Sequence, residues 1–161
     1  MKKNQITVNR KLIAVAVLIF LVFQSCTSIR LISDYDEITD KTVTEVQEKV
    51  ANYFVKLENS VGTEESKYEN YKEQFEKIKI DLNTLEVRAK AIDKNRIVIT
   101  QVEELKNMVD NLEKLHKSFK NGYQSTDLVK PNLNAFNTAF TAIIKLQLAL
   151  KRGDKQREDN N

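Results

Sequence analysis

Cysteine, proline and histidine occur once each in this 161-residue chain, and glycine three times. Each shortage excludes something. With Cys26 alone there is no disulfide to close within the chain, so the fold must stand on its hydrophobic core. With His116 alone there is no multi-histidine metal centre, and no serine or cysteine motif accompanies it to make a nucleophilic triad. No catalytic residue, cofactor-binding residue or metal ligand set emerges, and the chain is not expected to be an enzyme. Gly62, Gly122 and Pro131 are the only interruptions between residues 33 and 151, which leaves long stretches free to follow one period.

The single cysteine is informative because of where it sits. Lys2, Lys3, Arg10 and Lys11 precede an unbroken apolar run at residues 12–23, followed by Gln24, Ser25 and Cys26. That is a cationic head, a short apolar stretch and a small residue before a cut site. Twelve residues make about 18 Å of helix, short of the ~30 Å hydrocarbon core, so the run reads as an export signal and not a membrane span. Leu21, Val22, Phe23, Gln24, Ser25 and Cys26 form a loose lipobox, with Phe23 bulkier than the aliphatic residue of stricter versions. Residues 1–25 are therefore expected to be cleaved, and Cys26 to carry a diacylglycerol anchor. Removing the four cations of the signal from a formal net charge of +3 leaves −1 on the 136 residues that follow. A nearly neutral exported domain has no electrostatic reason to bind nucleic acid.

Beyond a short tether at residues 26–33, the period is helical throughout, and the expected fold class is all-α. A first helix, about 34–59, places Ile38, Val43, Val46, Val50, Tyr53, Phe54 and Leu57 on one face, with Asp34 or Asp36 as its cap. A second, about 63–91, spaces Tyr68, Tyr71, Phe75, Ile78, Leu82, Leu85, Ala89 and Ile92 as a heptad seam. A third, about 94–120, continues with Val98, Val102, Leu105, Met108, Val109, Leu112, Leu115 and Phe119 and stops at Asn121 and Gly122, a left-handed cap. A fourth, about 127–152, has Pro131 in its first turn and buries Leu133, Phe136, Ala139, Phe140, Ile143, Leu146 and Leu150. Short connections make neighbours double back, giving an up-down-up-down antiparallel four-helix bundle with coiled-coil-like seams over residues 34–152. The alternative is a pair of helical hairpins that complete their cores by dimerising, and the oligomeric state is left open. Residues 153–161 contain no apolar side chain and are expected to be a disordered tail.

Several constellations resemble sites. Asp34, Asp36, Asp40 and Glu45 match positions of a calcium loop, but Ile38 occupies a ligand position and Thr39 replaces the turn glycine, so they read as helix-capping acids. Glu103 and Glu104 fall on a polar helix face. Arg152, Gly153 and Asp154 spell an adhesion triplet where a helix is expected to fray. Tyr53, Tyr68, Tyr71 and Tyr123 read as packing residues. Near the seams, Glu86, Arg88, Gln101 and His116 read as an internal polar latch, with Arg88 paired to a neighbouring helix's carboxylate and His116 at a seam edge.

Asp34-Tyr35-Asp36-Glu37, Thr39-Asp40-Lys41, Glu86 with Arg88-Ala89, Lys94-Asn95, and Leu112-Glu113 with Leu115-His116-Lys117, placed after a lipobox, resemble small, functionally uncharacterised helical lipoproteins of Gram-negative bacteria. The resemblance implies an envelope address and a helical fold, and carries no activity with it. Thr27 in place of an aspartate after the cysteine, with no acidic stretch beyond it, implies the periplasmic face of the outer membrane. The expected function is a membrane-anchored binding or adaptor module with an envelope protein partner, in which the lipid raises the effective concentration of a weak contact. The alternative is a small-molecule or lipid-binding bundle with a cavity lined by Arg88 and Tyr71. Arg88, Lys90, Lys94 and Arg96 are expected as a basic cluster near the membrane; the alternative is that Arg88, Lys90, Lys151 and Arg152 only complement the C-terminal dipoles of their helices, with Asp34, Asp36, Glu37 and Asp40 at the same end partly cancelling the field.

Overall fold

A computed structural model of the chain describes residues 32–159. The signal at 1–25, the lipidation site Cys26 and most of the tether lie outside the described residues, as do residues 160 and 161. Four helices carry the fold: α1 (Glu37–Ser60), α2 (Lys72–Ala91), α3 (Arg96–Ser118) and α4 (Val129–Glu158). Among the described residues there is no strand. None of these helices is long and apolar enough to cross a membrane.

Helix α1 starts at Asp36, whose extended backbone (φ −126°, ψ 108°) lets its carboxylate accept from the Thr39 amide at 2.9 Å and the Thr39 hydroxyl at 2.6 Å. That cap sets the phase of the helix. At about 100° per residue, Thr39 falls in line with Val43, Val46 and Val50, while Ile38 is turned about 80° or more off the stripe. Thr39 is accordingly buried and Ile38, expected in the core, is 53% exposed.

The second helix begins nine residues later than its periodicity suggests. Gly62 takes a left-handed φ of +80°, and two short 3-10 turns, Glu64–Ser66 and Tyr68–Asn70, separated by an extended Lys67, fill the gap. Polar side chains occupy the carbonyls that a continuing α-helix would use. Thr63 donates to Ser60 O (2.8 Å), Ser66 to Thr63 O (2.8 Å), and the Asn70 amide to Glu64 O and Glu65 O (3.1 and 3.3 Å). The chain between α3 and α4 presses against the same segment. Gly62 N–H donates to Tyr123 O at 2.8 Å, and a Cβ on Gly122 would stand 2.2 Å from Ser66 Oγ. Gly122 is left-handed as expected (φ +73°) but does not cap α3, which ends at Ser118 with Phe119 as its cap.

The buried positions of α2 (Phe75, Ile78, Leu82, Leu85, Ala89) and α3 (Val98, Val102, Leu105, Val109, Leu112, His116) follow the expected three-and-four spacing. In α4 the stripe is Phe136, Phe140, Ile143, Gln147 and Leu150, so Gln147 takes the inward place and Leu146 lies beside it, half-buried. Helix α4 does not stop near Arg152. Residues 153–158 are helical, because the start of the domain ties them down: Tyr35 N–H donates to Asp154 Oδ2 (2.8 Å) and Arg157 to Asp34 Oδ1 (2.9 Å). The expected disordered tail is thus a helical extension through Glu158, and the Arg152-Gly153-Asp154 triplet lies inside it. Helix α1 packs on α2 and α4, and α3 packs on α2 and α4. The helices form a bundle around a hydrophobic core shared by all four.

Candidate functional site

The two ends of the bundle hold its polar side chains, and they differ in kind. At one end, the segment leading into α1 is held against the α2–α3 turn and the end of α4. The Ser33 hydroxyl donates to Asn95 Oδ1 (3.0 Å), and the Asn95 amide in turn donates to Ala89 O (3.0 Å), so the buried Asn95 closes α2 and receives the incoming chain together. Arg88, near the end of α2, donates from Nε to Asp36 Oδ2 at 2.6 Å and from Nη2 to Asp36 Oδ1. This two-point contact is the strongest geometry an ion pair offers. The Arg88 guanidinium holds the Asp36 carboxyl down at about 2, against the upward push of burial and with help from Thr39. The expected pairing of Arg88 with a neighbouring helix's carboxylate therefore exists, at the bundle end, but the four residues form no single internal latch: Glu86 pairs with Lys90 and Lys106, and His116 lies at the other end.

That placement separates Arg88 from Tyr71. Seventeen residues of chain, about 25 Å of helix, lie between them. Tyr71 shares a hydrogen bond with Ser60 Oγ (2.7 Å) at the far end. Among the described residues no cavity is lined by both. An open cleft of about 280 Å³ between α2 and α3 is lined by Lys79, Leu82, Asn83, Lys106 and Asp110. Its lysines are already engaged, Lys79 with Asp110 (2.8 Å) and Glu113, and Lys106 with Glu86.

At the far end sits His116, fully buried and ringed by Tyr53, Tyr68, Tyr71, Phe75 and Tyr123 with ring centroids 4.9 to 6.1 Å away. The sequence places it at a seam edge, and the structure places it in the core. Its Nε2 lies 2.8 Å from Ser66 O, and a carbonyl only accepts, so Nε2 carries the proton. Nδ1 then accepts from the Tyr53 hydroxyl at 3.0 Å. Burial pushes the His116 pKa down and the Tyr53 pKa up, keeping both neutral at pH 7. Beside them Tyr68 donates to Glu113 Oε1 (2.6 Å). Burial pushes the Glu113 carboxyl up, but Lys117, Lys79 and Tyr68 together hold it at about 2. Both imidazole nitrogens are occupied and the carboxylate is paired, whereas the buried Tyr123 hydroxyl beside the ring has no hydrogen-bond partner.

The acids of the calcium-like run are dispersed. Asp36 caps α1, Asp34 meets Arg157, Asp40 accepts from the Tyr35 hydroxyl (2.8 Å), and Glu45 faces Lys41 (3.9 Å). Among the described residues no group of three or more histidine, cysteine or acidic side chains is placed to hold a metal.

The expected basic cluster divides in two. Arg88 is bound to Asp36 and Lys90 to Glu86 and Glu103, and both lie in the last turn of α2, where cations complement the helix dipole. Lys94 and Arg96 have neither explanation. Among the described residues no carboxylate pairs with them, and they sit at the start of α3, where the dipole disfavours positive charge and no acid occupies the first turn. Lys94 is also the only described non-glycine residue with positive φ, +59°. No protein-family model matches the chain, and neither a curated protein nor a solved structure is similar to it.

Proposed function

We propose that this protein is a Gram-negative envelope lipoprotein, similar in kind to the small helical lipoproteins its sequence resembles. In this reading the signal at residues 1–25 is removed, Cys26 bears the lipid, and the bundle is an adaptor or binding module on the periplasmic face of the outer membrane. The observation that carries the reading is the position of the only cysteine, directly after a cationic, apolar and small-residue export signal. What supports a binding module over a catalyst is that the two titratable groups of the aromatic cluster, His116 and Glu113, are both engaged by neighbouring groups. We further propose an up-down-up-down bundle with shallow crossings near ~20°. The alternating spacing of buried residues in α2 and α3 supports it, as does the joining of Ser33, Asn95, Tyr35 and Asp154 at one end. Fractionation of cells making wild type and Cys26→Ser, with a radiolabelled fatty acid, tests the anchor. The wild type is expected to carry label and stay with carbonate-washed membranes. A Cys26→Ser variant that retains both would sink the proposal. Affinity capture of the lipidated wild type from its own envelope, compared with Cys26→Ser, then identifies the protein partner.

A further inference from the structure

Lys94 and Arg96 are two charges that the fold of the described residues does not use. Lys94 adopts a left-handed backbone that glycine takes freely and that other L-residues enter at a steric penalty. Arg96 opens a helix whose dipole repels it. Two exposed apolar side chains accompany them. Ile97 follows Arg96 directly and is 50% exposed, and Ile32, the first described residue, is 46% exposed. Ile32, Lys94 and Ile97 line one shallow cleft with Leu146 and Leu150, whose volume of about 10 Å³ is too small for a ligand, so what they form is a surface. The hydrogen bonds of Ser33 to Asn95 and of Tyr35 to Asp154 hold the incoming chain at this end.

We infer that the α2–α3 turn, with Lys94, Arg96, Ile97 and the adjoining Ile32, is a docking surface for an anionic lipid bilayer that sets this flank of the bundle, beside the last turns of α4, against its own membrane. This rests on the lipid anchor at Cys26. Five residues lie between Cys26 and Ile32, so the six steps of chain span at most about 20 Å when extended, and an anchored bundle cannot lift this end far from the headgroups. The chemistry of the end matches that neighbour. Cations meet anionic headgroups while isoleucines enter the interfacial layer, the division of labour of peripheral membrane surfaces. Asp93 is the one acid among residues 92–97, which Lys94 and Arg96 bring to a net +1; of the other acids at this end, Asp36 is paired to Arg88 and Asp34 to Arg157.

The test uses the full protein, purified with its natural N-terminus and incorporated into vesicles. An environment-sensitive fluorophore is attached at Ile97→Cys or, as the distal control, at Glu65→Cys. Equal parts phosphatidylcholine and phosphatidylglycerol are compared with phosphatidylcholine alone. Docking gives a blue shift at position 97 on the anionic vesicles, lost at high salt, and none at position 65. Lys94→Gly and Arg96→Gln are each expected to lower the ratio of docked to undocked protein about fivefold. Lys94→Gly is also expected to raise the melting temperature, so lost docking cannot be ascribed to lost folding. Protein that sediments with vesicles but shows no shift overturns the docking surface and leaves the anchor standing. A shift indifferent to both substitutions, or one already present without vesicles, overturns it in favour of a protein contact or a second copy. Protein that stays in the supernatant removes the anchor and the docking with it.

Discussion

His116 on α3 donates its Nε2–H to the carbonyl of Ser66, fifty residues earlier, at 2.8 Å. That bond fixes the imidazole tautomer and makes the second ring nitrogen an acceptor for Tyr53. It also ties the 3-10 segment that replaces the start of the second helix to the centre of the bundle.

The pH dependence of stability follows from the burial of this ring. The folded-state pKa of His116 lies below its ordinary value near 6.5, so below that pH the unfolded chain binds a proton that the folded one refuses. Stability is therefore complete above about pH 6.5 and falls as pH drops through and below it. Asp36 and Glu113, both held near 2, add a second loss only below about pH 4.5, where the unfolded carboxylates begin to protonate. Denaturant melts at pH 7.5, 6.5, 5.5 and 4.0 are expected to show both steps, in about those ranges. His116→Gln, which keeps an N–H donor without titrating, is expected to lose the first step and keep the second. A first step unchanged in that variant would assign it to another group.

The three glycines are expected to respond differently to alanine. Gly122→Ala meets both a left-handed backbone and the Ser66 hydroxyl at 2.2 Å, so it is expected to destabilise by more than ~2 kcal/mol. Gly62→Ala has the backbone penalty alone, about 1 kcal/mol, since nothing lies within 4 Å of the added methyl. Gly153→Ala, in helix and in open space, is expected to stabilise by up to ~1 kcal/mol. Thermal unfolding of the three variants checks the order. A stabilising Gly153→Ala would also show that α4 extends past Arg152 in solution.

Asp36 holds two interactions at once, the α1 cap and Arg88. Asp36→Ala is expected to cost about 2 to 4 kcal/mol, and Arg88→Met less, because the cap survives it. A double-mutant cycle is expected to return a favourable coupling between the two side chains. Additive effects would mean that the pair contributes nothing beyond its two separate parts.

Leu82 and Leu112 lie at the middle of the buried stripes of α2 and α3, 1% and 4% exposed. Leu82→Ala and Leu112→Ala are each expected to destabilise by about 2 to 5 kcal/mol, the range for a leucine truncated in a packed core. Melts unchanged for both would place the buried faces elsewhere.

What the sequence by itself determined is the part of the fold that depends on local period. The spacing of Val98, Val102, Leu105, Val109 and Leu112 states which face of α3 is buried wherever its partners lie, because 3.6 residues per turn is a property of the backbone. The likeness of Cys26 to a lipidation site is equally local. The tertiary structure decided the rest. Whether residues 63–71 continue a helix depends on the strand of chain at Gly122 and Tyr123 that packs against Ser66. Whether residues 153–158 are helical depends on Asp34 and Tyr35, more than a hundred residues away. The same holds for charge. Arg88, Lys90, Lys94 and Arg96 look alike in sequence, and only the positions of Asp36, Glu86 and Glu103 separate the two that stabilise the bundle from the two that do not, since an ion pair is made by proximity in space.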